Sequence, residues 1–303
     1  MIPRIGNIKI KSLTTTDIQK AYNDILETEY RPGRRYSAKT VLNIHCCLNK
    51  ALDKAVQIKP PLLLYNPCKS VEPPSVESCS YVIPEKENIE TLLDALKQSR
   101  LFYAIIFCAM MGTRRGEALG LFWGDIDFEE KTVFIRRALV YNNKKKIVEI
   151  GKLKTKQAER FLPLDDGLID MLKTWKKEQQ LNRMRNADVY KVSDFVFTDE
   201  IGNFINPQRL SDNVKSAAKK ASMAGLRLHD LRHICATYML DAGISPRTVS
   251  EFLGHSTPSF TLKRYAHALD ASKRKAAKEM GAVWSPEKKS KKKNPKNCDQ
   301  SAT

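Results

Sequence analysis

Between Leu226 and Leu269 the chain sets out reactive side chains in a fixed order: His229-x-x-Arg232, then His255 after Leu253-Gly254, then Tyr265. A tyrosine downstream of clustered Arg and His is an odd set for a core and a sensible one for attack on a phosphodiester. Charge in that reaction spreads over the equatorial phosphate oxygens, so preorganised cations must meet it. Guanidinium suits this best, being always charged and able to make two parallel hydrogen bonds. A covalent route needs a hydroxyl nucleophile, and the departing sugar oxygen needs a proton donor. Nothing in this scheme requires a metal.

Two further stretches could complete it. Arg114 follows Gly112-Thr113, where an apolar segment breaks and restarts, and Glu117 three residues on could hold its guanidinium. Lys152, Lys154 and Lys156 alternate, which puts them on one face of a strand, where a Lys could protonate a leaving oxygen. Each group also has a plainer use. Arg114 and Glu117 could be a structural pair, and His255 a capping or core residue. Tyr265 could be a packed ring, and the lysines a solvated strand. His229 and Arg232 lie three apart on a helix and face the same way, whereas His233 points elsewhere.

The elements that must carry these residues are mostly helical. Thr14-Thr15-Thr16-Asp17 offers N-caps for a helix bearing Ile18, Tyr22, Ile25 and Leu26, and Arg31-Pro32-Gly33 breaks it. Ser37 caps a second helix to about Val56, with Val41, Ile44, Leu48, Leu52 and Ala55 as its stripe. Residues 1–12 carry little pattern. Beyond an extended connection, helices are expected over Pro84–Gln98, Leu101–Met111 and Arg114–Leu121. The period then changes to that of a small antiparallel sheet spanning Asp125 to Leu164, with Asn142-Asn143 as a turn. Helices return over Asp165–Arg185, from Asn206-Pro207 to Ala221, and over His229–Ala242, Pro246–Leu253 and about Ser259–Leu269, with a short strand at Asp194–Phe197. The expected class is mainly α with a small antiparallel β-sheet (α+β). The expected division is a helical unit at 1–75, a linker at 76–82, a second domain at 83–284 and a disordered basic tail at 285–303. That tail has six Lys, two acidic residues and no large apolar side chain.

Composition narrows the partners. With 52 Lys+Arg against 34 Asp+Glu the formal charge is +18, which favours a polyanion, nucleic acid before an anionic membrane surface. The seven Cys are scattered without metal-ligand spacing, which suits reduced thiols in the cytosol. The longest apolar run, near Leu101–Met111, is too short to span a bilayer.

Each motif is weak alone, but Gly-Thr-Arg-Arg-Gly-Glu, Lys-Thr-Lys-x5-Leu-Pro-Leu, His-Asp-Leu-Arg-His, Leu-Gly-His-Ser and Arg-Tyr-x-His occur once each, in that order. In this the chain closely resembles the tyrosine recombinase (phage integrase) family over about residues 12–270. The resemblance implies that Arg114, Lys154, His229, Arg232, His255 and the nucleophile Tyr265 are catalytic, with Glu117 in support. It implies strand cutting and rejoining through a 3′-phosphotyrosine and a free 5′-hydroxyl, without a cofactor or metal. It implies double-stranded DNA as partner, clamped between the N-terminal helical domain and the catalytic domain, and a homotetramer on DNA. Accessory DNA-bending proteins and a bacterial cytoplasmic, nucleoid-associated location go with it. The use it implies is integration or excision of a mobile or viral genome. An inactive DNA-binding relative and a type IB-like topoisomerase are the alternative uses of such a chain. The family's N-terminal arm-binding domain, and a further helix before the one at Thr15, are expected to be missing. In relatives the segment after the Tyr docks on a neighbouring subunit. Here Ser272–Trp284 would serve, with Ala276, Ala277, Met280 and Val283 as its apolar face.

Overall fold

The computed structural model describes residues 1–76, 84–142, 147–153, 155 and 158–255. The chain divides into two compact units between Val82 and Ile83. Lys154, Tyr265, the helix expected at Ser259–Leu269, Ser272–Trp284 and the tail lie outside the described residues.

The first unit is built on two capped helices. A short helix α1 (Ile2–Ile5) occupies part of the stretch that showed no pattern. In α2 (Thr15–Glu27) the Thr14 hydroxyl accepts from the Asp17 N–H at 3.2 Å, and the Asp17 carboxylate accepts from the Thr14 N–H at 3.0 Å. This reciprocal cap satisfies two donors that the first turn leaves without partners. Residues Glu29–Arg31 (β1) and Arg34–Arg35 (β2) then pair antiparallel, so the expected break is a tight hairpin. Ser37 caps α3 (Ala38–Gln57). Ile18, Tyr22 and Ile25 of α2 pack with Val41, Leu52 and Ala55 of α3 and with Leu63, Cys68 and Val71. Each Ile, Leu or Val among them contributes about 1.5–3 kcal/mol by leaving water.

The second unit wraps helices around α5. Its helices begin with α4 (Lys86–Lys97), α5 (Phe102–Met110) and α6 (Arg115–Leu119). Five strands follow: β3 (Ile126–Asp127), β4 (Thr132–Ile135), β5 (Arg137–Asn142), β6 (Ile147–Lys152) and β7 (Arg160–Pro163). The remaining helices are α7 (Asp166–Arg185), α8 (Pro207–Lys220), α9 (Leu228–Asp241) and α10 (Pro246–Leu253). No helix among the described residues is long and apolar enough to cross a membrane.

The fold class is the expected one, but the single sheet is two. Strands β3-β4-β7 form one, and the β5-β6 hairpin stands as another. The chain turns at Arg136, between β4 and β5, where the Asp125 carboxylate takes both Arg136 and Arg137. A continuous run of β-formers therefore conceals a change of sheet. Burial alternates in β4 and β7, so Val133, Ile135 and Leu162 enter the core with Ile105 and Phe107 of α5. Strand β6 ends at Lys152, and the strand alternation expected through Lys154 and Lys156 falls on residues outside those described. The strand expected at Asp194–Phe197 is reduced to an isolated bridge from Phe195 to Phe122. Backbone bonds still tie it to residues 121–123, from the Val196 N–H to Leu121 and from the Trp123 N–H to Asp194, each at 2.9 Å, and the Gln179 amide adds donation to the Phe195 and Val196 carbonyls at 3.1 and 3.3 Å.

Candidate functional site

The site is assembled at the C-terminal end of α10. Gly254 adopts the left-handed conformation there, with φ +67°, and the Gly254 and His255 N–H groups donate back to Glu251 and Ser250. Glycine takes this conformation without the steric penalty a Cβ would bring. Three carbonyls in a row are then taken by three arginines. The Phe252 carbonyl accepts from Arg160 Nε at 2.6 Å, Leu253 from Arg232 Nη2 at 2.7 Å and Gly254 from Arg114 Nη2 at 3.4 Å. These are end carbonyls of a helix, where partial negative charge collects and cations are favoured.

Each guanidinium is braced a second time. Arg114 is the N-cap of α6, and its Nη1 donates to Glu117 Oε1 at 2.6 Å while the other Glu117 oxygen accepts the Arg114 N–H at 3.1 Å. Arg160, at the start of β7, reaches the same Glu117 oxygen at 3.0 Å and its own neighbour Ala158 at 2.9 Å. Arg232 Nη1 donates to the Gly112 carbonyl at 2.7 Å. Gly112 turns there with φ +55°, and a Cβ on it would come within 2.5 Å of the Leu253 side chain. One buried carboxylate thus holds two arginines, and one glycine turn receives the third.

Electrostatics follow from this crowding. Burial would raise the Glu117 carboxyl, but Arg160 and Arg114 outweigh it and hold the group below the usual range. Its side chain is 1% exposed, as a buried carboxylate can be only when it is paired. His255 is half-buried beside this group. Burial first, and then the Arg232 and Arg114 cations, push its pKa down to about 4. His229 lies near the start of α9 on an exposed surface, yet the protein packed beside its ring and the Arg232 charge lower it too. Both rings are therefore held towards the neutral form, in which each keeps one N–H donor.

The structure brings Arg114, Glu117, Arg232 and His255 together at this helix end, with His229 close enough to feel Arg232 and Arg114. Arg114, with a side chain 44% exposed, faces solvent, whereas Arg232 is 2% exposed. His233 does not point away, as the sequence suggested. Four residues along a helix are neighbours on one face, and its ring meets that of His229 edge-on with centroids 4.9 Å apart. Lys154 lies outside the described residues, but the root of its hairpin is described. Arg137 pairs in register with Lys152, and Arg136 and Arg137 bind the buried Asp125 at 2.7 and 3.1 Å. Sequence reasoning passed over Arg160 and Asp125. The Arg160-Phe161-Leu162-Pro163-Leu164 run was a signal for the first, since a basic residue opening an otherwise buried strand needs an anion inside. A hollow of about 850 Å³ between α7 and residues 198–205 is lined by none of these groups.

Known proteins resemble this chain in sequence and in fold. Residues 84–272 match the model of the phage integrase family. The chain is 32% identical over 295 residues to a protein described as tyrosine recombinase XerC-like from Caldanaerobacter subterraneus subsp. tengcongensis, covering 91% of this chain and 73% of that one. It is 26% identical to the ICEBs1 integrase of Bacillus subtilis, over 85% of this chain and 68% of that one. Among solved structures, the Tn1549 transposon integrase in complex with a circular intermediate DNA shares the fold. The TM-score is 0.71 at 20% identity, over 89% of this chain and 86% of that one. The family match spans more than half the chain and the XerC-like relative most of it, so the chain belongs to the phage integrase family, the tyrosine recombinases.

Proposed function

We propose that the chain is a site-specific DNA recombinase that cuts and rejoins strands through a 3′-phosphotyrosine, in the integration or excision of a mobile element. The observation that carries this reading is the row of three arginines on the carbonyls of Phe252, Leu253 and Gly254, next to His255. Fixed cations and neutral imidazole donors are what a phosphodiester transition state needs, and here Arg114 is the solvent-facing cation while Arg232 and Arg160 are held beneath it. Relatives of the same fold are integrases in complex with circular intermediate DNA and with transposon right end DNA.

In the proposed reaction, Arg114 and Arg232 bind the non-bridging oxygens of the scissile phosphate, and His229 and His255 donate to them. The Tyr265 hydroxyl gives up its proton to solvent, and its oxygen attacks phosphorus. The bond to the 5′ oxygen breaks, and that oxygen leaves with a proton from Lys154. The free 5′-hydroxyl of another strand reverses the step, so the bond energy is kept in the tyrosyl ester and no cofactor is consumed. Two sites exchanging strands would engage four copies of the chain. Arg160 and Glu117 act on the reaction only through Arg114 and the His255 turn.

A nicked suicide duplex tests the assignment. Tyr265→Phe should form no denaturant-resistant adduct while binding the duplex like wild type; an adduct in that variant would overturn the nucleophile. Lys154→Ala should cleave slowly on normal DNA and recover on a 5′-thio leaving group. Failure to recover would remove the lysine from the proton-donor role.

A further inference from the structure

We propose that the β1–β2 hairpin is a contact for duplex DNA, separate from the residues of strand transfer. Residues 29–37 are all exposed and contain Arg31, Arg34 and Arg35. No hydrogen bond or ion pair engages those three side chains among the described residues. The one acidic group of the ribbon, Glu29, stands opposite Arg35 and accepts the Gly33 N–H at 3.3 Å, which leaves Arg31 and Arg34 without a carboxylate across the ladder. Gly33 closes the turn with φ +69°.

Two features make a solvated hairpin an incomplete account. Arg31 and Arg34 are direct cross-strand partners. Like charges placed opposite each other destabilise a ladder, and a phosphate between them would remove that penalty. Tyr30 and Tyr36 meet at a tilt of 37° with ring centroids 5.0 Å apart while 48% and 37% exposed, so the rings stiffen the ribbon without joining the core. The result is a narrow, preorganised, basic two-stranded ribbon, a shape that the major groove of B-DNA admits. Arginines at its tip can reach phosphates and guanine edges alike.

The inference rests on the reading of the chain as a DNA recombinase, and the experiment separates the two. Binding of the full chain to a linear duplex is followed by fluorescence anisotropy across a salt series, for three proteins. These are wild type, Arg31→Ser/Arg34→Ser/Arg35→Ser, and a charge-matched control on exposed α7 positions, Lys173→Ser/Lys177→Ser/Arg183→Ser. Each lost phosphate contact should reduce the slope of log K against log salt by about 0.9. The hairpin variant should therefore lose roughly 2–3 of slope, with affinity down by about tenfold or more at moderate salt. The α7 control should change less. Wild-type binding without salt dependence would remove the recombinase reading itself. A salt-dependent wild type with the hairpin variant parallel to it would overturn the hairpin contact alone. Equal losses in the hairpin variant and the control would overturn it too, since net charge would then explain both.

Discussion

Arg160 is the residue whose loss the site should feel most without its touching DNA. It joins Glu117 to the Phe252 carbonyl, and its side chain is 6% exposed. Arg160→Ala would leave Glu117 with Arg114 alone and the Phe252 carbonyl unpaired, at a cost on the order of 3 kcal/mol. The rate of adduct formation should fall by more than the affinity for DNA, and Arg160→Lys should restore stability in part but not the two-sided grip. Chemical denaturation beside single-turnover cleavage separates these effects. His255 gives a pH prediction. Its pKa falls from the usual 6.5 of a histidine to about 4 in the folded chain. Between those values the unfolded chain takes up a proton that the folded chain refuses. Stability should therefore be complete above about pH 6.5 and decline as pH falls towards 4. Glu117 adds in the same direction at lower pH, because its depressed pKa contributes stability that is lost as the carboxylate protonates. His255→Trp removes the titrating ring, so its denaturation midpoint should vary less with pH across that window. An unchanged slope would assign the effect elsewhere.

At the scale of elements, α10 and the β5-β6 hairpin are the parts that must arrive in the right place. The left-handed turn at Gly254 packs against Arg160, since a Cβ there would stand 2.7 Å from Arg160 Nη1. The hairpin is held at its root by Asp125, whose carboxylate is 1% exposed and takes both Arg136 and Arg137. Arg137 also lies 4.0 Å from the centre of the Phe122 ring. Asp125→Ala should free this root and leave two cations without their anion. If Lys154 is delivered by this hairpin, cleavage on a normal duplex should slow by roughly tenfold to a thousandfold, the range expected when a catalytic donor is misplaced. A 5′-thio duplex, which needs no proton donor, should be cleaved nearly as wild type. Equal loss on both substrates would mean that Asp125 supports the fold rather than the hairpin.

For the molecule as a whole, charge sets the mode of association. An excess of +18 draws in a polyanion irrespective of base sequence. If six or more phosphates are neutralised, affinity should fall by on the order of a thousandfold between 50 and 200 mM salt. Titration of a random-sequence duplex measures this background, and a weak dependence would contradict DNA as the partner.

What the sequence determined by itself is local. The caps at Thr14 and Ser37, the stripe of α3 and the buried α5 were legible because helix ends and periodicity depend on neighbours within a few residues. The Arg114–Glu117 contact was legible for the same reason, and the order of motifs was enough to point to the family. The tight hairpin at 29–35 was not, because Pro-Gly signals a break without saying that two arginine-rich strands pair across it. Nor was His233, whose use depends on which neighbour fills the space beside it. Tertiary structure alone decided that the Phe252, Leu253 and Gly254 carbonyls would meet Arg160, Arg232 and Arg114. Those pairs lie 92, 21 and 140 residues apart. No short-range rule links residues so distant. They meet because β7, α6 and α9 are packed around one core, and that packing leaves a carboxylate and a helix end to be satisfied by the same arginines.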